Sequence, residues 1–191
     1  MTDASDLALV DDDDDEPPSH VLMEDVLPGE DLVAREQLKE AYLEELNPVT
    51  AYEWSLADQL ANYEWEIMRH RRMRDATVLL KYQRLATNVI MEGDPNHDAW
   101  VSEIDEETRL FALDLTSKDP QTRQEAEAAF LQETQWHPHQ LLALASGSSE
   151  EAKHHDTKIA DLERRRRALR KDYDELKVTH ARVVEDAEVM R

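Results

Sequence analysis

Paired histidines and carboxylates are the residues of this chain whose spacing could hold a metal ion. A di-iron site in a helical bundle needs a Glu-x-x-His triplet on each of two helices, together with a Glu from each of two others. One such triplet is present, from Glu151 to His154, and the sequence contains no second one. Glu66 and His70 are also about one helical turn apart, but the arginine-rich run at residues 69–74 would repel a cation.

The remaining histidines give little support to a cofactor site. His137, His139, His154 and His155 could meet in space, but exposed loop histidines are the commoner explanation for such pairs. Because ligand number and geometry are demanding, we expect no metal and no other cofactor. The chain also has no Cys, no Gly-rich phosphate loop and no G-x-S-x-G motif. The sequence therefore predicts that the protein is not an enzyme.

Two arginine clusters, at residues 69–74 and 164–167, could contact phosphate groups. Both are interleaved with acidic and apolar residues, which favours helix faces covered by ion pairs. The chain holds 44 Asp and Glu against 22 Lys and Arg, a net charge of −22, which argues against binding to nucleic acid or to anionic membranes. No apolar run has the length of a membrane span and no signal peptide is recognised, so a cytoplasmic location is expected.

A long helix that begins near Thr50 organises the rest of the chain. Thr50 and Glu53 have the spacing of a capping box, in which each side chain accepts a hydrogen bond from the other residue's amide. Val49 and Trp54 have the spacing of a hydrophobic staple across this cap, so Trp54 is expected to belong to the core.

The apolar stripe of this helix, which includes Leu60 and Trp65, is wide enough to be buried against at least two neighbours. If the helix continues to the stop at Gly93, it is about 63 Å long. Asp31 is the predicted N-cap of a preceding helix that ends near Leu46, and the short link predicts an antiparallel or sharply bent pair. Further helices are predicted from about 105 and from Asp119-Pro120 to about 135.

The last segment shows a coiled-coil pattern after a predicted hinge at 146–149. Two arrangements fit the pattern, a helix packed back on the central helix or a helix that self-associates, and periodicity alone does not choose between them. Protonation of His180 inside an apolar seam is expected to weaken either arrangement as the pH falls. The predicted seam consists of Ile159, Leu162, Arg166, Leu169, Tyr173, Leu176, His180 and Val183.

Residues 1–26 are predicted to form a disordered acidic tail. Five consecutive aspartates, Asp11 to Asp15, are followed by Glu16 and two prolines, so like charges repel one another and little apolar surface can be buried. The expected organisation is a tail over residues 1–26, a helical bundle over 27–147 and a coiled-coil helix over 148–191.

Two stretches of the chain resemble a family of uncharacterised bacterial all-helical proteins. The shared features are LPGED at 27–31, an L-x-P link at 46–48, a capped helix with Trp65 and Arg69, and an arginine-rich helix at 159–170. Where the family usually has an arginine after the tryptophan, this chain has Glu66. No activity is established for the family, so the resemblance implies a helical architecture and no chemistry.

We predict an all-α fold, a helical bundle with a long central helix, a C-terminal coiled-coil helix and a disordered acidic N-terminal tail. The predicted function is that of a non-enzymatic interaction or assembly protein, which binds a protein partner or itself through residues 150–191. Two alternatives are open. One is a nucleic-acid-associated accessory protein with arginine-rich helices and an acidic arm that competes with DNA, and the other is a metal-dependent helical-bundle enzyme.

Overall fold

A computed structural model describes residues 27, 29–96 and 104–189 of the chain, with side chains as far as Arg182. Over these residues the fold is all-α, as predicted, and contains no β-strand. The predicted acidic tail, residues 1–26, lies outside the described residues. The described helices are α1 (Leu32–Leu46), α2 (Ala51–Glu92), α3 (Glu106–Asp114), α4 (Pro120–Thr134), α5 (Pro138–Ser148) and α6 (Glu150–Val189).

The predicted caps determine where most of these helices begin. The side chains of Asp31, Asp105 and Asp119 accept hydrogen bonds from amides in the first turns of α1, α3 and α4. Such bonds satisfy amides that have no partner inside the helix. At the start of α2, Thr50 and Glu53 form both halves of the predicted capping box.

The central helix, α2, is continuous over 42 residues. Its length is therefore about 63 Å, as predicted, at 1.5 Å per residue. It ends at Gly93, which has a left-handed φ of 74° and donates its amide to the Val89 carbonyl. Glycine adopts this conformation without a steric penalty, which explains why the helix ends here.

Two separate hydrophobic cores lie along α2, and the residues between them, 68–81, include no buried side chain. The first, here called the junction core, joins the N-terminal half of α2 to α1 and α6. It consists of Leu46, Leu56, Ala57, Leu60 and Tyr173. The second, here called the far core, joins the C-terminal half of α2 to the three short helices. It consists of Tyr82, Leu85, Ala86, Val89, Leu115, Ala126, Phe130, Leu141 and Ala145.

Helix α6 packs antiparallel against α2, and the two form the most extensive helix pair in the described residues. Of the two arrangements that fit the heptad pattern, the structure therefore contains packing within one chain. Of the two arrangements predicted for α1 and α2, the structure has the antiparallel one, because Lys39 pairs with Asp58 at 2.7 Å whereas Arg35, earlier in α1, bonds to Asn62, later in α2. The direction of α6 follows from four ion pairs, Asp156 with Arg74, Glu163 with Arg71, Arg166 with Glu64 and Lys177 with Glu53.

The prediction that Trp54 belongs to the core is wrong. Trp54 is 49% exposed and its staple partner Val49 is 67% exposed. In this first part of α2, the face that α1 and α6 cover is that of Glu53, Leu56 and Ala57, all of which are buried. Trp54 lies to the side of that face, so correct staple spacing does not produce burial here.

The predicted hinge at 146–149 is also wrong, because α5 remains helical as far as Ser148. Only Ser149 separates it from α6, and the Ser149 hydroxyl accepts a hydrogen bond from the Ala152 amide at 3.1 Å. Ser149 is 3% exposed, so this connection is packed rather than open. The boundary predicted between residues 147 and 148 consequently falls inside the last turn of α5.

Candidate functional site

A buried carboxylate, Glu53, lies where α1, α2 and α6 meet. Its side chain is 1% exposed. It accepts hydrogen bonds from the backbone amides of Val49, at 2.6 Å, and Thr50, at 3.4 Å. In return, the Glu53 amide donates to the Thr50 hydroxyl at 3.2 Å. These donors matter because a carboxylate removed from water is costly unless it is hydrogen-bonded.

Helix α6 supplies the other partners of this carboxylate. Lys177 Nζ lies 3.4 Å from Glu53 Oε2, and His180 Nδ1 lies 3.2 Å from Oε1. The amide of Val49, the amide of Thr50 and the charge of Lys177 together outweigh desolvation and lower the pKa of Glu53 from its usual 4.5. His180, which the heptad pattern predicted in an apolar seam, thus lies beside an acid.

The same face of α6 closes the turn between α1 and α2. The Tyr173 hydroxyl donates to the Leu46 carbonyl at 2.9 Å, and Lys177 Nζ donates to the Asn47 carbonyl at 2.8 Å. Asn47 is the left-handed C-cap of α1, with φ of 45°. Carbonyls at a helix end have no partner inside the helix, so α6 satisfies two acceptors that α1 cannot. This site, here called the helix junction, consists of Leu46, Asn47, Glu53, Tyr173, Lys177 and His180.

The predicted seam residues of α6 face the helices that α6 packs on. Leu169 and Leu176 pack against the junction core, in which Tyr173 is buried. The two polar seam residues, Arg166 and His180, pair with the acidic residues Glu64 and Glu53. Val183 lies on the α6 backbone, but its side chain lies outside the described part of the chain. Two of the seam side chains are buried, Ile159 and Tyr173. Five others are partly buried: Leu162, Arg166, Leu169, Leu176 and His180.

Heptad reasoning missed the acidic partners of these polar seam positions. Glu64 and Glu53 lie on α2, more than a hundred residues before Arg166 and His180. Spacing within α6 holds no information about residues so distant in the sequence. One signal was present, since Lys177 follows Tyr173 by one helical turn and therefore shares its face.

A second buried ion pair joins the LPGED turn to α2. The Arg69 guanidinium donates to both oxygens of Glu30, from Nε at 2.7 Å and from Nη2 at 2.9 Å. This interaction with Arg69 is the main cause that lowers the pKa of Glu30 from 4.5 to about 2. Among the described residues the buried indole N–H of Trp65 has no hydrogen-bond partner. Glu30 thereby gives the LPGED turn a structural role.

The arginine clusters are covered by contacts within the chain. Arg71 and Arg74 pair with Glu163 and Asp156 of α6, and the Arg72 guanidinium lies 5.4 Å from the ring centroid of Trp65. Such paired faces agree with the predicted ion-pair coverage and give little support to the nucleic-acid alternative. In the second cluster, Arg164 and Arg165 pair with Asp161, Arg166 with Glu64, and Arg167 donates to the Glu163 carbonyl.

The histidines form close pairs. His70 Nδ1 lies 3.0 Å from His155 Nδ1, across the interface of α2 and α6. Burial and then the neighbouring His155 lower the pKa of His70. The rings of His137 and His139 are 5.0 Å apart, and those of His154 and His155 are 5.8 Å apart. In the part of the chain that the structure describes, no group of three or more His, Asp or Glu side chains is placed to hold a metal.

The end of the molecule at the helix junction exposes apolar side chains. Tyr52 is 63% exposed and Val178 of α6 is 52% exposed. Because Glu53 lies opposite Lys177 and His180, the start of α2 lies opposite about residue 180, whereas α6 continues to Val189. Helix α6 therefore extends about two turns beyond its partner. This end of the molecule, here called the junction face, exposes Val49, Tyr52, Trp54 and Val178 and includes the α6 backbone beyond 180. Tyr52 and Trp54 are two positions apart and therefore lie on different sides of α2.

Comparisons with models of protein families, with curated proteins and with solved structures find no match to this chain. Over the described residues, no helix has both the length and the apolar character that a membrane crossing requires. The family resemblance of the LPGED and arginine-rich stretches stays a prediction. Only the geometry of the chain itself then points to a function.

Proposed function

We propose that the protein is a non-enzymatic helical interaction protein, which binds a helix of a second copy or of a partner protein at its junction face. The observation that carries this proposal is the exposed apolar surface at the end where α6 continues beyond α2. In the sequence, the seam spacing continues past His180 with Val183, Ala187 and Met190. Positions 183 and 187 of the α6 backbone lie beyond the start of α2, so a second helix is needed to complete the seam.

Packing within the chain supports a smaller assembly surface than the one that the sequence predicts. The seam between Ile159 and His180 packs on α2 and α1, so it is not available to another chain. An exposed apolar patch next to an uncompleted seam fits a helix that offers its own apolar face. The binding surface predicted over residues 150–191 is thereby reduced to the last turns of α6 and the adjoining residues of α2.

The lowered pKa values of two carboxylates, Glu30 and Glu53, give no indication of catalysis. Glu30 and Arg69 are held by each other, and Glu53 is held by the helix junction. Perturbed groups at catalytic sites lie in clefts where a substrate can reach them. Here the lowered carboxyl pKa values have structural causes instead.

The proposal predicts that substitutions in the junction face abolish assembly. We expect the mass of the wild-type chain, measured by light scattering, to increase with concentration, or the chain to bind a synthetic peptide of residues 170–191. Tyr52→Lys combined with Val178→Lys should remove both behaviours, because two buried charges would oppose docking. Leu80→Lys is the matched control, since Leu80 is 67% exposed in the middle of α2 and should behave as wild type. A wild-type chain that stays monomeric and does not bind the peptide would contradict the proposal.

A further inference from the structure

An open groove lies beside the far core, away from the junction face. Its volume is about 730 Å³, and it runs between α2, α4, α5 and the turn that joins α3 to α4. Two of its apolar residues, Leu79 of α2 and Leu142 of α5, are 43% and 44% exposed. A groove of this size with accessible apolar walls has the character of a binding site. The apolar walls are formed by Leu79, Tyr82, Leu115, Ala128, Leu131 and Leu142.

The rim of this groove carries positive charge on a chain that is otherwise strongly acidic. Lys118 lines the groove and has no ion-pair partner among the described residues. Arg123 donates to the Ser117 carbonyl at 3.1 Å, and its charge acts only weakly on Asp119, as the last of the causes that lower the pKa of that carboxyl. His137 and His139 also line the groove, and the acid among its lining residues is Glu127. Asp119, the N-cap of α4, lies next to this lining in the sequence and is not part of it. An occupant that fits this groove is apolar at one end and acidic at the other.

The chain contains a segment with this chemistry. Leu7-Ala8-Leu9-Val10 supplies apolar side chains and is followed directly by Asp11 to Asp15 and Glu16. Ten of the 44 acidic residues and no Lys or Arg fall within residues 1–26. The segment thus combines an apolar run with the densest negative charge of the chain.

The path of the chain allows this segment to reach the groove. The Leu27 amide donates to Glu30 at 2.9 Å, and Glu30 is held by Arg69. Leu27, the first described residue, is therefore tied to residue 69 of α2, and Leu79 lies about 15 Å further along that helix. Residues 17–26 can span up to roughly 33 Å when extended, which is enough to bring the aspartates to the rim.

We propose that the groove binds the chain's own N-terminal segment, with Leu7, Leu9 and Val10 on the apolar walls and Asp11 to Asp15 beside Lys118 and Arg123. Tethering favours this contact, because a segment on the same chain is present at high effective concentration. The contact is independent of the junction face, which lies at the other end of α2. Its failure and the failure of the proposed assembly are therefore distinguishable.

Paramagnetic relaxation in the full-length chain tests this proposal. The natural sequence has no Cys, so a nitroxide attached to Ser5→Cys labels the segment alone. We expect the amide signals of Ala128 and Leu131 to broaden several-fold relative to a diamagnetic label, while that of Ala160, exposed on α6, stays unchanged. Equal or absent broadening at the three amides would overturn the proposal. Broadening in a mixture of spin-labelled, unenriched chains and unlabelled, isotope-enriched chains would also overturn the proposal, since that result requires contact between copies.

Two further variants separate docking from accidental proximity. Lys118→Glu combined with Arg123→Glu should abolish the broadening at Ala128, because the rim would then repel the aspartates. Arg164→Glu combined with Arg165→Glu, which changes the net charge equally on exposed α6 positions, should leave it unchanged. Replacement of Leu7, Leu9 and Val10 by Ser should also abolish it, with unchanged helicity by circular dichroism. Broadening that persists in the rim variant and in the variant of the N-terminal segment would overturn the proposal.

Discussion

At the residue scale, two carboxylates lose most of their contact with water and keep their charge. Glu53 does so through two backbone amides and two α6 side chains, and Glu30 through a bidentate contact with Arg69. Their pKa values are lowered because these partners favour the ionised form by more than burial disfavours it. Each carboxylate therefore stabilises the fold only while it is ionised.

The helix junction should become unstable in acid for this reason. A carboxyl whose pKa is lower in the folded chain than its usual 4.5 contributes stability above that value, and the contribution is lost as the pH falls through the folded pKa. We expect Glu53→Gln to lower the free energy of unfolding by about 1–3 kcal/mol at neutral pH. The variant should also lose less stability than wild type below pH 4.5. Urea unfolding at several pH values measures both effects, with Glu175→Gln as an exposed control on α6 that should be close to neutral.

The contact between Glu30 and Arg69 allows a second prediction. Arg69→Met should destabilise the protein by about 3 kcal/mol, since it leaves a carboxylate that is poorly solvated without its cation. The pKa of Glu30 should rise from about 2 towards 4.5 in this variant. Carbon-detected NMR titration of the Glu30 carboxyl would show the rise. Arg164→Met provides the comparison, because the Arg164 side chain is 74% exposed and its removal should have little effect.

At the element scale, the helices were predictable where their signals are local. The capping box, the cap aspartates and the Gly93 stop each involve residues within four positions of one another, so the sequence alone indicates them. Trp54 shows the limit, because its spacing was correct but its burial depends on which face of α2 is covered by α1 and α6. Lys177 was missed for a similar reason, since its partners at Asn47 and Glu53 lie far away in the sequence.

The α6 seam provides a test of packing within one chain. Replacement of Leu162, Leu169 and Leu176 by Ser removes roughly 1–2 kcal/mol of burial for each partly buried leucine. We expect this triple variant to lose helicity and tertiary structure at unchanged molecular mass, because α6 completes the junction core. Circular dichroism with light scattering distinguishes this result from simple dissociation. Val178→Ser on the exposed side of α6 should retain full helicity, and a triple variant that stays as stable as wild type would show that α6 is dispensable.

At the scale of the whole molecule, acidic residues outnumber basic ones even without the first 26 residues. Residues 27–191 hold all 22 Lys and Arg but still 34 of the 44 acids. Most of the ion pairs lie at the surface, where each contributes about 0–1 kcal/mol. Repulsion among the excess acids opposes the compact state and acts over longer distances than these pairs.

Added salt should therefore stabilise the protein. Salt ions screen both the attraction within the exposed ion pairs and the repulsion among the excess acidic residues. We expect the weaker repulsion to change the free energy of unfolding more than the weaker ion pairs do. The midpoint of urea unfolding should rise between low and high concentrations of potassium chloride. A midpoint that falls would indicate that the ion pairs between α2 and α6 contribute more than their surface exposure suggests.

The closure of the α1–α2 turn by α6 also has a consequence for biosynthesis. Tyr173 and Lys177 contact Leu46 and Asn47 across 127 and 130 residues of sequence. A ribosome therefore releases the first two helices long before the residues that complete their core have been made. Contacts between such distant segments slow folding, because a long loop must close before they form. The nascent chain is thus expected to hold an unfinished apolar surface on α2 until translation has passed residue 180, the interval in which a chaperone would find it.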